Sequence, residues 1–217
     1  MNFLIFDLDG TLIDSKLDLV HSVNAARGLM SLEPISEELV SSYVGNGAPV
    51  LMRRALGPEA SEEDVARALE FFLRYYRAHM LDNTRLYPGV REALDRLLAG
   101  GATMAVLTNK PVRISRAIVE QLGLSKHFFQ VYGGNSFEQK KPDPIGIETL
   151  LSESGAAREG TIMVGDSGVD IRTARNAGVR ACGVSYGFQP ETFIEEPPDL
   201  VVDNMLELAD FVLKRGA

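Results

Sequence analysis

The chain has 217 residues, 45% hydrophobic and 24% charged, with a formal net charge of -8 and a pI near 5.0, enough for one substantial core and a smaller module. The acidic balance argues against nucleic acid or an anionic membrane as the main partner, because clustered Lys and Arg hold such polymers; a small anion held locally remains open. A single cysteine, Cys182, excludes an internal disulfide, no apolar run approaches the roughly 18 residues needed to span a bilayer, and no basic-apolar-small leader precedes Asn2, so the expected location is the cytoplasm.

An apolar run, Phe3 to Phe6, leads directly into Asp7-Leu8-Asp9-Gly10-Thr11. It reads as a buried strand delivering two carboxylates to a turn, with Asp7 and Asp9 on one side by period-two alternation. From Ser15 to about Leu86 the pattern is helix after helix. A first helix runs to about Met30 with Leu17, Val20, Val23 and Leu29 near helical spacing. Further helices cover Ser36 to Val44, Ala48 to Leu56 and Ser61 to Leu81, separated by Pro34, Gly45-Asn46-Gly47 and Gly57-Pro58.

From Pro88 helices and strands alternate, the signature of a parallel sheet covered on both faces. Helices are predicted over Gly89 to Ala99, Pro111 to Leu122, Pro144 to Glu153, Val169 to Ala177 and Met205 to Lys214. Strands are predicted over Thr103 to Leu107, Gln130 to Tyr132, Thr161 to Val164, Ala181 to Val184 and Leu200 to Val202. The expected fold is α/β: a Rossmann-like parallel-sheet core, residues 1–14 and 87–217, with an inserted all-helical cap, residues 15–86, above Asp7 and Asp9. The insertion is inferred because the helix from Gly89 alone suffices for the first crossover.

The polar clusters fall at the C-terminal ends of predicted strands, where open α/β sheets bind ligands. Thr108-Asn109-Lys110 ends one strand; Thr108 can hold an anion together with the next helix N-terminus, or merely cap that helix. In Lys140-Lys141-Pro142-Asp143-Pro144 the prolines stiffen the loop and favour Lys141 as an inward charge. Asp166 and Asp170 follow the strand from Thr161, with Asp166 also readable as an N-cap. Each pair of carboxylates 4 Å apart costs about 4 kcal/mol at an effective dielectric near 20, so a convergent set needs a cation. Oxygen ligands without His or Cys select Mg²⁺, whose shell is completed by water and substrate phosphate. A carboxylate can then attack phosphorus while a neighbouring acid moves protons. Cys182, in an apolar run with no basic neighbours, reads as a buried structural thiol.

In this order DLDGT, LTN, KKPDP and GDSGVD resemble the phosphatases of the haloacid dehalogenase superfamily, and the match covers essentially the whole chain. The resemblance implies Asp7 as nucleophile and Asp9 as general acid and base. Thr108 and the Asn109 backbone would hold phosphoryl oxygens, with Lys141 neutralising Asp7 and phosphate. Mg²⁺ would take Asp7, the Asp9 carbonyl and Asp166, with Asp170 helping to hold its water shell. An acid at position 9 disfavours dehalogenase and phosphonate-cleaving chemistry. The phrases YVGNGAPVLMRRAL, LYPGV, TNKP and MVGDS are similar to the phosphoglycolate phosphatase branch, implying a small phosphorylated metabolite, 2-phosphoglycolate, as substrate. Gly45, Asn46 and Gly47 could meet its carboxylate through backbone amides or form a plain helix-helix turn; Arg53 or Arg54 could neutralise it. The alternatives are a β-phosphoglucomutase-like mutase, a pyrophosphatase or a sugar phosphatase; the expected assembly is a monomer or homodimer.

Overall fold

The computed structural model describes residues 2–215; positions 1, 216 and 217 of the expected core lie outside the described residues. In chain order the elements are β1 (Phe3–Phe6), β2 (Ile13–Asp14), α1 (Lys16–Leu29), α2 (Glu37–Tyr43), α3 (Ala48–Leu56), α4 (Glu62–His79), β3 (Arg85–Leu86), α5 (Val90–Ala99), β4 (Thr103–Leu107), α6 (Val112–Gln121), β5 (Gln130–Tyr132), α7 (Ile145–Ser154), β6 (Thr161–Gly165), α8 (Gly168–Asn176), β7 (Arg180–Val184), β8 (Leu200–Val202) and α9 (Met205–Arg215). The chain forms two compact units, Met1–Asp14 with Leu86–Ala217, and Ser15–Arg85.

The first unit is built on a six-stranded sheet of order β5-β4-β1-β6-β7-β8. Every neighbour pair is parallel, and Phe6 stands opposite both Val106 of β4 and Val164 of β6. Strands buried on both faces read as unbroken apolar runs, which is why FLIF carries no polar residue until Asp7. On one face Phe3, Ile5, Leu107 and Met163 pack with Ile147 and Leu150 of α7 and Ile171 and Ala174 of α8. Each large side chain so buried stabilises by about 1.5–3 kcal/mol relative to exposure. The chain steps outward from β1 to β4 and β5, then returns to β6 beside β1. That reversal makes the C-terminal edge of β1 and β6 the ligand-binding position of this sheet.

The second unit is helical. The side chains of Ser36 and Ser61 accept the Leu39 and Asp64 amides at 3.3 and 3.1 Å, capping α2 and α4. Phe72 and Tyr76, one turn apart on α4, stack at 5.7 Å, buried as are Val23, Ala26, Leu51 and Met52. Two members of the expected α1 stripe depart from it: Leu17 is 45% exposed and Leu29 48%. At a helical repeat of 3.6 residues both fall more than about 100° from the centre of the face made by Leu19, Val20, Val23 and Ala26, so that face carries the packing without them.

Asp18 ties the two ends of the helical unit together. Its carboxylate accepts the Asn83 amide at 3.0 Å on both oxygens, Asn83 Nδ2 at 2.8 Å, the Thr84 amide at 2.8 Å and Thr84 Oγ1 at 2.7 Å. Burial alone would raise the Asp18 pKa, but the donors from Thr84 and Asn83 outweigh it and hold the carboxyl below its ordinary value.

Candidate active site

β1 ends at Phe6, and the Asp7 amide still donates to the Val164 carbonyl at 2.9 Å, fixing Asp7 at the sheet edge. The chain then turns: the Leu8 carbonyl accepts the amides of Thr11, Leu12 and Ile13 at 3.3, 3.0 and 3.1 Å. Strand alternation therefore stops before Asp9, and the two aspartates take different cations. Lys141 Nζ lies 2.9 Å from Asp7 Oδ1 and 2.6 Å from Asp170 Oδ1. Lys110 Nζ lies 2.8 and 2.9 Å from the two oxygens of Asp9. The site thus holds two buried lysines where the sequence suggested one. A proline follows Lys110 as one follows Lys141, but the Lys110–Asp9 pairing depends on where the turn after β1 carries Asp9, which the residue order around Lys110 does not show.

At the end of β6, Asp166 precedes α8, whose N-cap is Ser167, so the alternative reading of Asp166 as an N-cap falls away. Asp170 Oδ2 instead accepts the Ser167 amide and hydroxyl at 3.2 and 2.7 Å, while its other oxygen takes Lys141. Carboxylate oxygens of Asp7, Asp166 and Asp170 lie within 4.8 Å of one another, all three residues buried. Burial pushes the Asp7 carboxyl up to about 6, with Lys141 opposing and the Asp170 charge adding to the rise. Burial, then the charges of Asp170 and Asp7, hold Asp166 well above the usual carboxylate range. Burial works against the charge of Lys141, yet Asp170 and Asp7 hold its pKa above the ordinary value. Three mutually repelling oxygen donors with no imidazole or thiolate among them fit a hard divalent cation.

The loop after β7 closes this cluster. The Phe188 amide donates to Asp166 Oδ2 at 2.6 Å and the Tyr186 hydroxyl to the Thr11 carbonyl at 2.8 Å. Gly187 admits no side chain: a Cβ would stand 2.1 Å from Asp166 Cβ and 2.6 Å from the Gly10 carbonyl. Gly10, at φ +77°, would place one 2.1 Å from Asp166 Oδ2. Nothing in the stretch SYGF announces these contacts, since they depend on loops distant in sequence.

Thr108 and Asn109 are both buried at the end of β4. The Thr108 hydroxyl accepts the Lys110 amide at 3.3 Å and does not cap α6, whose Val112 amide is taken by Asn135 Oδ1 at 2.9 Å. Asn109 Nδ2 donates to the Lys141 carbonyl at 3.0 Å, bracing the lysine loop from the neighbouring strand end. In the helical unit Gly45 and Gly47 have positive φ, 104° and 85°, on either side of Asn46, and Gly47 is the N-cap of α3. Arg53 donates to the Ala60 carbonyl at 2.6 Å and pairs with Glu62. Cys182 is fully buried and its thiol pushed up to about 12 by that burial, an unreactive structural position. Among the described residues no helix is long and apolar enough to cross a membrane.

A haloacid dehalogenase-like hydrolase family model matches residues 4–184, which spans all four motif segments. A phosphoglycolate phosphatase of Vibrio parahaemolyticus is 39% identical over 219 residues, covering 98% of this chain and 96% of the relative. One of Pseudomonas fluorescens is 41% identical, covering 99% and 80%. A crystal structure described as a predicted phosphoglycolate phosphatase from Haemophilus somnus superposes with a TM-score of 0.92 at 33% identity, over 97% of each chain. The motif order, the parallel sheet with its carboxylates at the reversal point, and these full-length similarities place the chain in the haloacid dehalogenase-like hydrolase family.

Proposed function

We propose that this enzyme is a Mg²⁺-dependent phosphatase that hydrolyses 2-phosphoglycolate to glycolate and phosphate through an aspartyl-phosphate on Asp7. The observation that carries the reading is the trio Asp7, Asp166 and Asp170, buried within 4.8 Å of one another beside Lys141. In this reading Asp7 and Asp166, with the Asp9 carbonyl, hold the metal, Asp170 supports its water shell, and the metal supplies charge neutralisation at the phosphoryl group. The names of the full-length relatives support the substrate.

The chemistry of the side chains is as follows. An Asp7 oxygen attacks phosphorus, the bond to the ester oxygen breaks, and Asp9 gives that oxygen its proton. Asp9 then takes a proton from water as the water oxygen attacks the aspartyl-phosphate, releasing phosphate and restoring the Asp7 carboxylate. Thr108 and the Asn109 backbone bind phosphoryl oxygens, and Lys141 screens Asp7 from the incoming anion. The helical unit acts as a substrate-selecting cap, with Gly45, Asn46, Gly47 and Arg53 as its contact residues. A cytoplasmic setting suits the single buried thiol. The test is a panel of 2-phosphoglycolate, hexose phosphates and pyrophosphate: a dominant kcat/KM for 2-phosphoglycolate is expected, and a clear preference for a hexose phosphate overturns the substrate.

A further inference from the structure

Asp7 and Asp9 are placed by different means. The sheet fixes Asp7 through its amide bond to the Val164 carbonyl. Asp9 stands on the turn beyond, followed by Gly10 at φ +77°, where the missing side chain leaves the backbone easily displaced. The bonds from three amides to the Leu8 carbonyl, and from the Gly10 amide to the Ile13 carbonyl at 2.9 Å, close this turn on itself. They do not hold it against the sheet edge. A proton donor displaced by about 1 Å loses much of its effect, so the turn needs anchors from elsewhere in the unit.

Two tyrosines from distant segments supply them. The Tyr186 hydroxyl donates to the Thr11 carbonyl at 2.8 Å and the Tyr87 amide to the Leu12 carbonyl at 3.2 Å, so consecutive carbonyls of the turn are taken from outside it. The two rings pack on each other with centroids 4.6 Å apart at 54°, which steers the Tyr186 hydroxyl. Thr11 is fully buried, so its carbonyl cannot exchange the tyrosine for water. Burial above all raises the Tyr186 pKa, and the hydroxyl stays a donor. Two residues on, the Phe188 amide holds Asp166 Oδ2 at 2.6 Å. One short loop therefore grips both the acid-bearing turn and a carboxylate of the metal cluster.

We propose that Tyr186 is a positioning residue of the reaction: through its hydrogen bond to the Thr11 carbonyl it holds the turn on which Asp9 meets the leaving-group oxygen. The inference rests on the reading of Asp9 as general acid given above. Lys110 acts on the Asp9 carboxylate itself, whereas Tyr186 acts on the backbone that carries it.

The test compares kcat/KM for two esters in the full chain with Mg²⁺. One is the alkyl phosphate that the wild type turns over best, whose alkoxide must be protonated as it leaves; the other is 4-nitrophenyl phosphate, whose phenolate leaves without an acid. The alkyl-to-aryl ratio does not depend on the fraction of enzyme that is folded, so a general loss of structure leaves it unmoved. In Tyr186→Phe, which keeps the ring against Tyr87, the ratio should fall about 10- to 100-fold. Asp9→Asn should lower it at least as far, and the double variant no further than Asp9→Asn, because Tyr186 acts through Asp9. An unchanged ratio in Tyr186→Phe, with Asp9→Asn lowering it, overturns the positioning role and leaves the general acid in place; so does a double variant in which the two losses multiply. An unchanged ratio in Asp9→Asn overturns the general-acid reading, and the inference with it.

Discussion

Asp170 and Lys141 meet at 2.6 Å with side chains 1% and 2% exposed, and the same ammonium reaches Asp7 at 2.9 Å. Asp170 therefore sets where the positive charge stands relative to the nucleophile, while Ser167 holds its other oxygen. In Asp170→Asn the lysine keeps only Asp7, and removing one partner of a buried pair costs about 3–5 kcal/mol. Turnover should fall about 10- to 100-fold, as for lost supporting contacts at metal sites. Steady-state kinetics with urea unfolding checks both; wild-type kcat in a destabilised variant would show that Asp170 is purely structural.

Asp7→Asn should abolish turnover, by about 10,000-fold or more, because the amide cannot form the phosphoenzyme. The protein should stay folded, since β1 and the Asp7 amide bond to Val164 do not involve the side chain. Circular dichroism alongside an assay for released phosphate reads the two separately. Retained turnover in the folded variant removes Asp7 from the nucleophile's role.

The three clustered carboxylates give the proposed metal dependence a direct test. Chelator should stop turnover and Mg²⁺ restore it. At 100 times its dissociation constant the ion should also stabilise the fold by about 2.7 kcal/mol, by mass action. Asp166→Asn should lose most of that stabilisation. Calorimetry with and without Mg²⁺ measures it independently of activity, and full activity in excess chelator would refute the metal's role.

Gly187 is placed to support that same carboxylate. With a Cβ 2.1 Å from Asp166 Cβ, Gly187→Ala must shift the loop and strain or break the 2.6 Å bond from the Phe188 amide. Metal affinity should drop about 10- to 100-fold, with about 1–3 kcal/mol of stability lost to overpacking. Titration calorimetry with Mg²⁺ checks the first; wild-type affinity would mean the loop does not position Asp166.

The contrast between Asp166 and Gly187 explains what the amino-acid order revealed and what it hid. Asp7, Thr108 and Asp166 were legible because each ends an apolar strand, and parallel strands bring their C-terminal ends to one edge whatever the loops do. Lys141 was legible through its prolines. The Lys110–Asp9 pair, the Asn109 brace and the Phe188 amide were not, because each is a contact between two loops whose approach depends on turn geometry after the strands end. The exposed Leu17 and Leu29 show a second limit: apolar residues near helical spacing do not share a face when their angular offsets accumulate.

Asp18 offers a test in the helical unit, remote in chemistry from phosphoryl transfer. Thr84 and Asn83 hold its pKa below the ordinary value, so its stabilising contribution is complete above the unfolded pKa of about 3.9 and is lost as pH falls through the folded value. Asp18→Asn turns an amide NH₂ toward donors and leaves buried N–H and O–H groups unpaired, costing about 3 kcal/mol at neutral pH. The gap between wild type and variant should therefore be widest at pH 7 and narrow as pH falls below 4, because the wild-type carboxyl itself becomes protonated. Urea unfolding at pH 7, 4 and 3 measures the gap. A difference that stays constant across that range would mean the asparagine acts through shape alone, and that the charge of Asp18 contributes nothing to closing the two ends of the unit.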